Sequence, residues 1–150
     1  RGVTSKRFLE CYAEFLNGIE YVSDAKKEDI SQRYENAYNE FFQPLMAEHE
    51  YIMENYLINH VFKNLFPLAG EKFAFDNYVM MVVHYAMIKL LLIGMSGVHK
   101  ENFSIDHVIK LIQSFSRTVE HNQNYLKQVF ALLKANGFNT MPYMAILIKN

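Results

Sequence analysis

The chain has 150 residues, 51% of them hydrophobic and 21% charged, enough to bury roughly two thirds of its unfolded surface without cross-links. Lys plus Arg number 15 and Asp plus Glu 16, which excludes a global field that would draw the chain to nucleic acid or an anionic membrane. The lone cysteine, Cys11, excludes an internal disulfide and, by itself, a thiolate metal cluster.

In chain order, Ser5 to Val22 places Phe8, Cys11, Tyr12, Phe15, Leu16 and Ile19 at helical spacing and predicts an amphipathic helix. Ser23 or Asp24 can cap the next helix, whose stripe is Ile30, Tyr34, Ala37, Tyr38 and Phe41; Pro44 must end or kink it. A third long helix is predicted from Leu45 to Phe66, with Met46, Met53, Leu57, Val61 and Leu65 inward, stopped by Pro67 and Gly70. The stretch Tyr78 to Met95 is apolar on nearly every face and predicts a buried central helix over about 73–95, fraying at Gly94 and Gly97. Its unbroken run from Val79 to Ile93 holds His84 and Lys89 and is too short and too polar to span a bilayer, which needs ~20 mostly apolar residues.

Ser96 to Asn102 reads as a polar link. Ser104 is a good N-cap for a helix to Glu120 with Ile105, Val108, Ile109, Ile112, Phe115 and Val119 inward. Asn122 caps a further helix through Ala135, Asn136-Gly137 is a left-handed stop, and a short helix runs from Pro142 to Lys149. No segment alternates with period two. The expectation is therefore an all-α, single-domain bundle of six or seven helices around the central one. The start at Arg1, with neither methionine nor an apolar signal segment, leads us to expect the C-terminal fragment of a longer protein and no export address.

Candidate chemistry is sparse. The six histidines, His49, His60, His84, His99, His107 and His121, are scattered over several elements with no Glu-x-x-His or His-x-x-x-His spacing, so no metal site is expected. Cys11 reads as a small buried hydrophobe, His84 as a core histidine, and Lys89 as a lysine whose stem lies along apolar surface. Two polar concentrations stand out as binding candidates. In Glu54–Asn64, residues Asn55, Asn59 and Lys63 form a ladder with Tyr56, His60 and Asn64 on the adjoining row, and asparagine's poor helix propensity is a local cost that a contact should offset. Around Ser114–Asn122, residues Arg117, Glu120, His121 and Asn124 share a face, with Asn122 beside them, and gather groups able to bind a carboxylate or to close a helix end by ion pairing. The two groups are expected on one surface. No glycine-rich phosphate loop, Ser-His-Asp order or paired-cysteine motif occurs.

The stretches ENYLINHVFKNLFPLAGE from Glu54, VVHYAMIKLLLIGMS from Val82, VIKLIQSFSRTVEHN from Val108 and GFNTMPYMAILIKN from Gly137 resemble the C-terminal part of the bacterial flagellin lysine-N-methylase family, over roughly residues 45–150. The resemblance implies methyl transfer to lysine ε-amines of flagellin, S-adenosylmethionine as donor, and a cytoplasmic site of action. The family's N-terminal cysteine-rich motif, which looks like a metal or iron-sulfur site, has no counterpart here. No catalytic residue is carried over, and the chain is expected to serve substrate recognition or scaffolding, inactive alone. Flagellin is the expected partner, with a homodimer possible and neither nucleic acid nor membrane expected. The alternative is a helical ligand-sensing or dimerisation module without catalytic activity.

Overall fold

A computed structural model of the protein describes residues 5–63 and 71–149, and 84% of the chain is helical. The helices are α1 (Lys6–Gly18), α2 (Lys27–Ala37), α3 (Gln43–Ala47), α4 (Tyr51–Lys63), α5 (Glu71–His99), α6 (Ile105–Phe115), α7 (Gln123–Ala135) and α8 (Met141–Lys149). A wide π-turn at Tyr38–Phe42 joins α2 to α3 without a break, and another at Ser116–Glu120 extends α6. Seven continuous helical segments result among the described residues, with no strand, as an all-α bundle requires.

Close contacts group the chain into two compact units. The first is Arg1–His49 with Ile88–His121, and the second is Glu50–Met87 with Asn122–Asn150. The boundary falls inside α5, so each half of that helix is the core of a different unit.

In the second unit Val79, Val82, Val83 and Met144 are buried, with Tyr78, Met87, Val129, Phe130, Leu133 and Leu147 packed around them. These side chains come from α5, α7 and α8. The predicted stop after α7 is present: Gly137 has φ +69°, its N–H donates to the Lys134 carbonyl at 3.1 Å, and the Phe138 N–H donates to Leu133 at 2.9 Å. This is the paired C-terminal closure that favours glycine.

In the first unit Ile88, Leu92, Ile93 and Met95 of α5 are fully buried alongside Cys11, Val108, Leu111 and Phe115. Here α5 departs from expectation. Gly94 and Gly97 do not fray it; they let other backbones in. A Cβ on Gly97 would stand 2.9 Å from the Gly18 carbonyl oxygen and 3.3 Å from the Ala37 Cβ, and one on Gly94 would stand 2.9 Å from the Phe15 carbonyl oxygen. Between the glycines, Ser96 donates its buried hydroxyl to Ile93 O at 2.7 Å and to Ala37 O at 3.2 Å. The expected polar link from Ser96 is instead helix to His99 and a single tight turn, Lys100–Asn102.

Other boundaries also move. The first helix ends at Gly18, not Val22, and Glu20 (φ +48°) occupies the left-handed closing position. Neither Ser23 nor Asp24 caps α2, which starts at Lys27. Pro44 does not end the second helix: the π-turn spans Glu40, the residue whose carbonyl a proline four positions later cannot bond and would crowd. The break comes at Glu48–Glu50, splitting the expected long helix into α3 and α4. Leu65, Phe66, Pro67 and Gly70 lie outside the described residues. On α6, Ile109 is exposed and Leu111 takes its place in the core.

The segment Ala74–Asn102 is 29 residues and contains an 18-residue window of mean hydropathy 1.8, long and apolar enough by length and composition to cross a membrane, contrary to the shorter run read from sequence. Yet 61% of its apolar window is buried inside the protein, as in a core helix.

The glycine contacts reverse an ordinary rule. Alanine for glycine inside a helix usually stabilises by roughly 0.5–1 kcal/mol, but at Gly18 a Cβ meets the Gly94 backbone, and overpacking of that kind costs about 1–3 kcal/mol. We expect Gly18→Ala to lower stability in urea unfolding; a gain would refute the close approach.

Candidate functional site

The helix α4 has two unlike faces. Met53 and Tyr56 are buried and Leu57 and His60 half-buried. The Tyr56 and His60 rings lie 6.2 Å apart, and His60 meets the buried His84 of α5 edge-to-face at 5.7 Å. Tyr56 and His60 therefore turn away from the asparagine ladder they were grouped with. Opposite them, Tyr51, Asn55, Ile58 and Phe62 follow i, i+4, i+7, i+11 spacing, which holds them in one row. Tyr51 is 54% exposed, Ile58 50% and Phe62 75%. Asn59 and Lys63, both exposed, adjoin this row, and Asn64 lies outside the described residues. The sequence reading found the amides and missed the apolar half of the face. The signal was there: three large side chains out of phase with the inward stripe.

The other expected group splits by role. Arg117 and His121 are exposed and Glu120 half-buried, accepting from the Ser116 hydroxyl at 2.9 Å. Asn122 caps α7, its side-chain oxygen accepting from the Tyr125 N–H at 3.1 Å. Arg117, Glu120 and His121 belong to the first unit, whereas Asn122 and the α4 face belong to the second.

A titratable cluster that the sequence reading did not assemble lies in the first unit, where α1, α5 and α6 meet. His99 Nε2 is 2.9 Å from a Glu14 carboxylate oxygen. Lys110 Nζ reaches Glu10 at 3.3 Å and Glu14 at 3.6 Å. Burial pulls the Lys110 ammonium down, but its bond to Glu10 and the charge of Glu14 outweigh that and raise it. The His107 ring packs 3.9 Å from that of His99 and stacks on Phe103 at 5.8 Å. Burial first, then His99, holds the His107 imidazole below the usual histidine range. Its signal in the sequence was Ser104-x-x-His107, a capping-box spacing with histidine in the place of Glu or Gln.

The two reactive-looking side chains have structural surroundings. Cys11 is fully buried, and burial pushes its thiol up despite the opposing charge of Lys110. Lys89 lies with its ammonium 5.6 Å from the Tyr38 ring centroid, and burial lowers its basicity.

Residues 1–147 match the family model described as FliB lysine N-methylase C-terminal domain. The chain belongs to this family. The match takes in α1 to α3 as well, ahead of the region where the resemblance was read. No curated protein and no solved structure gives a match.

Because only the thiolate reacts, and Cys11 is both buried and raised, we expect an aromatic disulfide reagent at pH 8 to label the native domain far more slowly than the urea-unfolded chain. Equal rates would show that the thiol is open.

Proposed function

We propose that this domain serves a flagellin lysine methylase as its protein-recognition module, presenting the outward row of α4 to the substrate. The observation that carries the reading is Phe62. It is three-quarters exposed in a row with Tyr51 and Ile58 and beside two exposed asparagines. Soluble surfaces seldom expose large apolar side chains in a row, and aromatic anchors flanked by hydrogen-bonding groups are what protein contacts use. The amides of Asn55 and Asn59 each offer a carbonyl acceptor and an NH2 donor, which suits a peptide backbone.

Membership in the lysine N-methylase family supports flagellin as the protein recognised and a cytoplasmic site for the modification. On this reading S-adenosylmethionine is the donor of the full-length enzyme. The helical chain contributes binding and orientation of the substrate, which raise the effective concentration of a lysine ε-amine at the donor.

The test uses the full-length enzyme with flagellin and S-adenosylmethionine, reading methyl-lysine by mass spectrometry. Phe62→Ala and Asn59→Ala should each weaken methylation, by about tenfold or more for a contact worth over 1.4 kcal/mol. Thermal unfolding of the variants should stay near that of the parent, since exposed sites change stability by only ~0.5 kcal/mol. Undiminished methylation by both variants would overturn the reading. The domain alone, mixed with flagellin and the donor, should produce no methyl-lysine.

A further inference from the structure

We propose that the Ser104–His107 cap is an acid-released latch on the start of α6. Ser104 and His107 form a reciprocal cap: the Ser104 side chain receives the His107 backbone N–H, and the Ser104 backbone N–H donates to His107 Nδ1 at 3.1 Å. An acceptor nitrogen carries a lone pair, so this contact defines the neutral tautomer with its proton on Nε2.

A proton arriving at Nδ1 turns that acceptor into a donor facing a donor. The Ser104 hydroxyl, 3.0 Å from Nδ1, can receive the new N–H, but the Ser104 backbone N–H then loses its partner.

The surroundings make that proton costly. From α6 itself, Lys110 opposes it and Asp106 favours it. From α5, the His99 ring sits 3.9 Å away. From α1, Glu14 favours it, but Glu14 already engages His99 and Lys110, and Glu10 is engaged by Lys110; Cys11 stays a neutral thiol. His107 also stands at the third position of α6, where the helix dipole repels a cation. The link that the latch holds is itself unfavourable: Lys100 is left-handed, with φ +49°, and is closed by one bond from the Phe103 N–H at 3.0 Å.

The sign follows from the lowered imidazole. Between the usual histidine value near 6.5 and the lower folded value, the unfolded or unlatched chain binds more protons. The latch's contribution is complete above about pH 6.5 and is lost as pH falls through the folded value.

Two measurements test it on the same chain. Imidazole nitrogen NMR at pH 7.5 should show His107 unprotonated at Nδ1, titrating below the usual histidine range. Amide-exchange protection at Ser104 and His107 should then fall several-fold from pH 7.5 to 5. His107→Gln keeps the side-chain acceptor of a capping box without titrating, so its protection should match the parent at pH 7.5 and hardly change at pH 5. A proton on Nδ1 at pH 7.5, or the same acid loss in His107→Gln, would overturn the latch. Should that variant fail to fold, the tautomer and titration of His107 in the parent decide alone.

Discussion

The first unit depends on one steric condition: between α1 and the C-terminal half of α5 there is no room for a side chain. Gly18, Gly94 and Gly97 meet that condition on both sides of the crossing. Once the backbones are that close, Ser96 can reach the Ala37 carbonyl as well as its own helix. The same approach brings Phe15 and Cys11 into the core and sets Phe8 edge-to-face on Phe115 at 6.2 Å. Glycine in a helix costs roughly 0.5–1 kcal/mol in backbone entropy. Two glycines in α5 persist because close-packed backbones and the neighbouring buried Ile93 and Met95 offset it.

That trade explains what the sequence could and could not disclose. The apolar stretch from Tyr78 identified α5 as the organising helix, because a helix without a polar face must be surrounded. Its end was misread because propensity treats Gly94 and Gly97 as breakers, whereas here tertiary packing uses them. At Pro44, where the helix is expected to end or kink, it continues through a π-turn at Tyr38–Phe42 that takes up the missing bond. Local signals held at three positions, though not at Ser23 or Asp24. Ser104, Asn122 and Gly137 all stand at the caps and the stop assigned to them.

The candidate site was legible only in part because amphipathicity was scored for one stripe at a time. Asn55, Asn59 and Lys63 stand out as polar residues, whereas Tyr51, Ile58 and Phe62 are apolar and out of phase with the inward stripe. Tyr56 and His60 neighbour the asparagines in sequence but lie about 100° further round the helix, and their burial and the His60–His84 pair show them to be inner-face residues. The group around Arg117 was ambiguous from the outset, because Arg, Glu, His and Asn also close helix ends. Asn122 is spent in that way. The titratable cluster of Glu14, His99, His107 and Lys110 joins three helices, and no spacing along one helix could reveal it.

The two units thus carry different kinds of polarity. In the first, charges are turned toward one another: Glu10 and Glu14 hold Lys110 and His99 at a helix junction, and the groups that look reactive are buried or stacked. In the second, α4 turns large apolar side chains and neutral amides outward. Charge networks of the first kind contribute to stability and make it depend on pH. A face of the second kind does little for the fold: exposed Phe62 and Ile58 gain little from burial, and asparagines inside a helix weaken it. Positions that break local rules without a folding benefit are where function concentrates. By that criterion α4 is the face we propose for protein binding, whereas the histidine junction belongs to the scaffold.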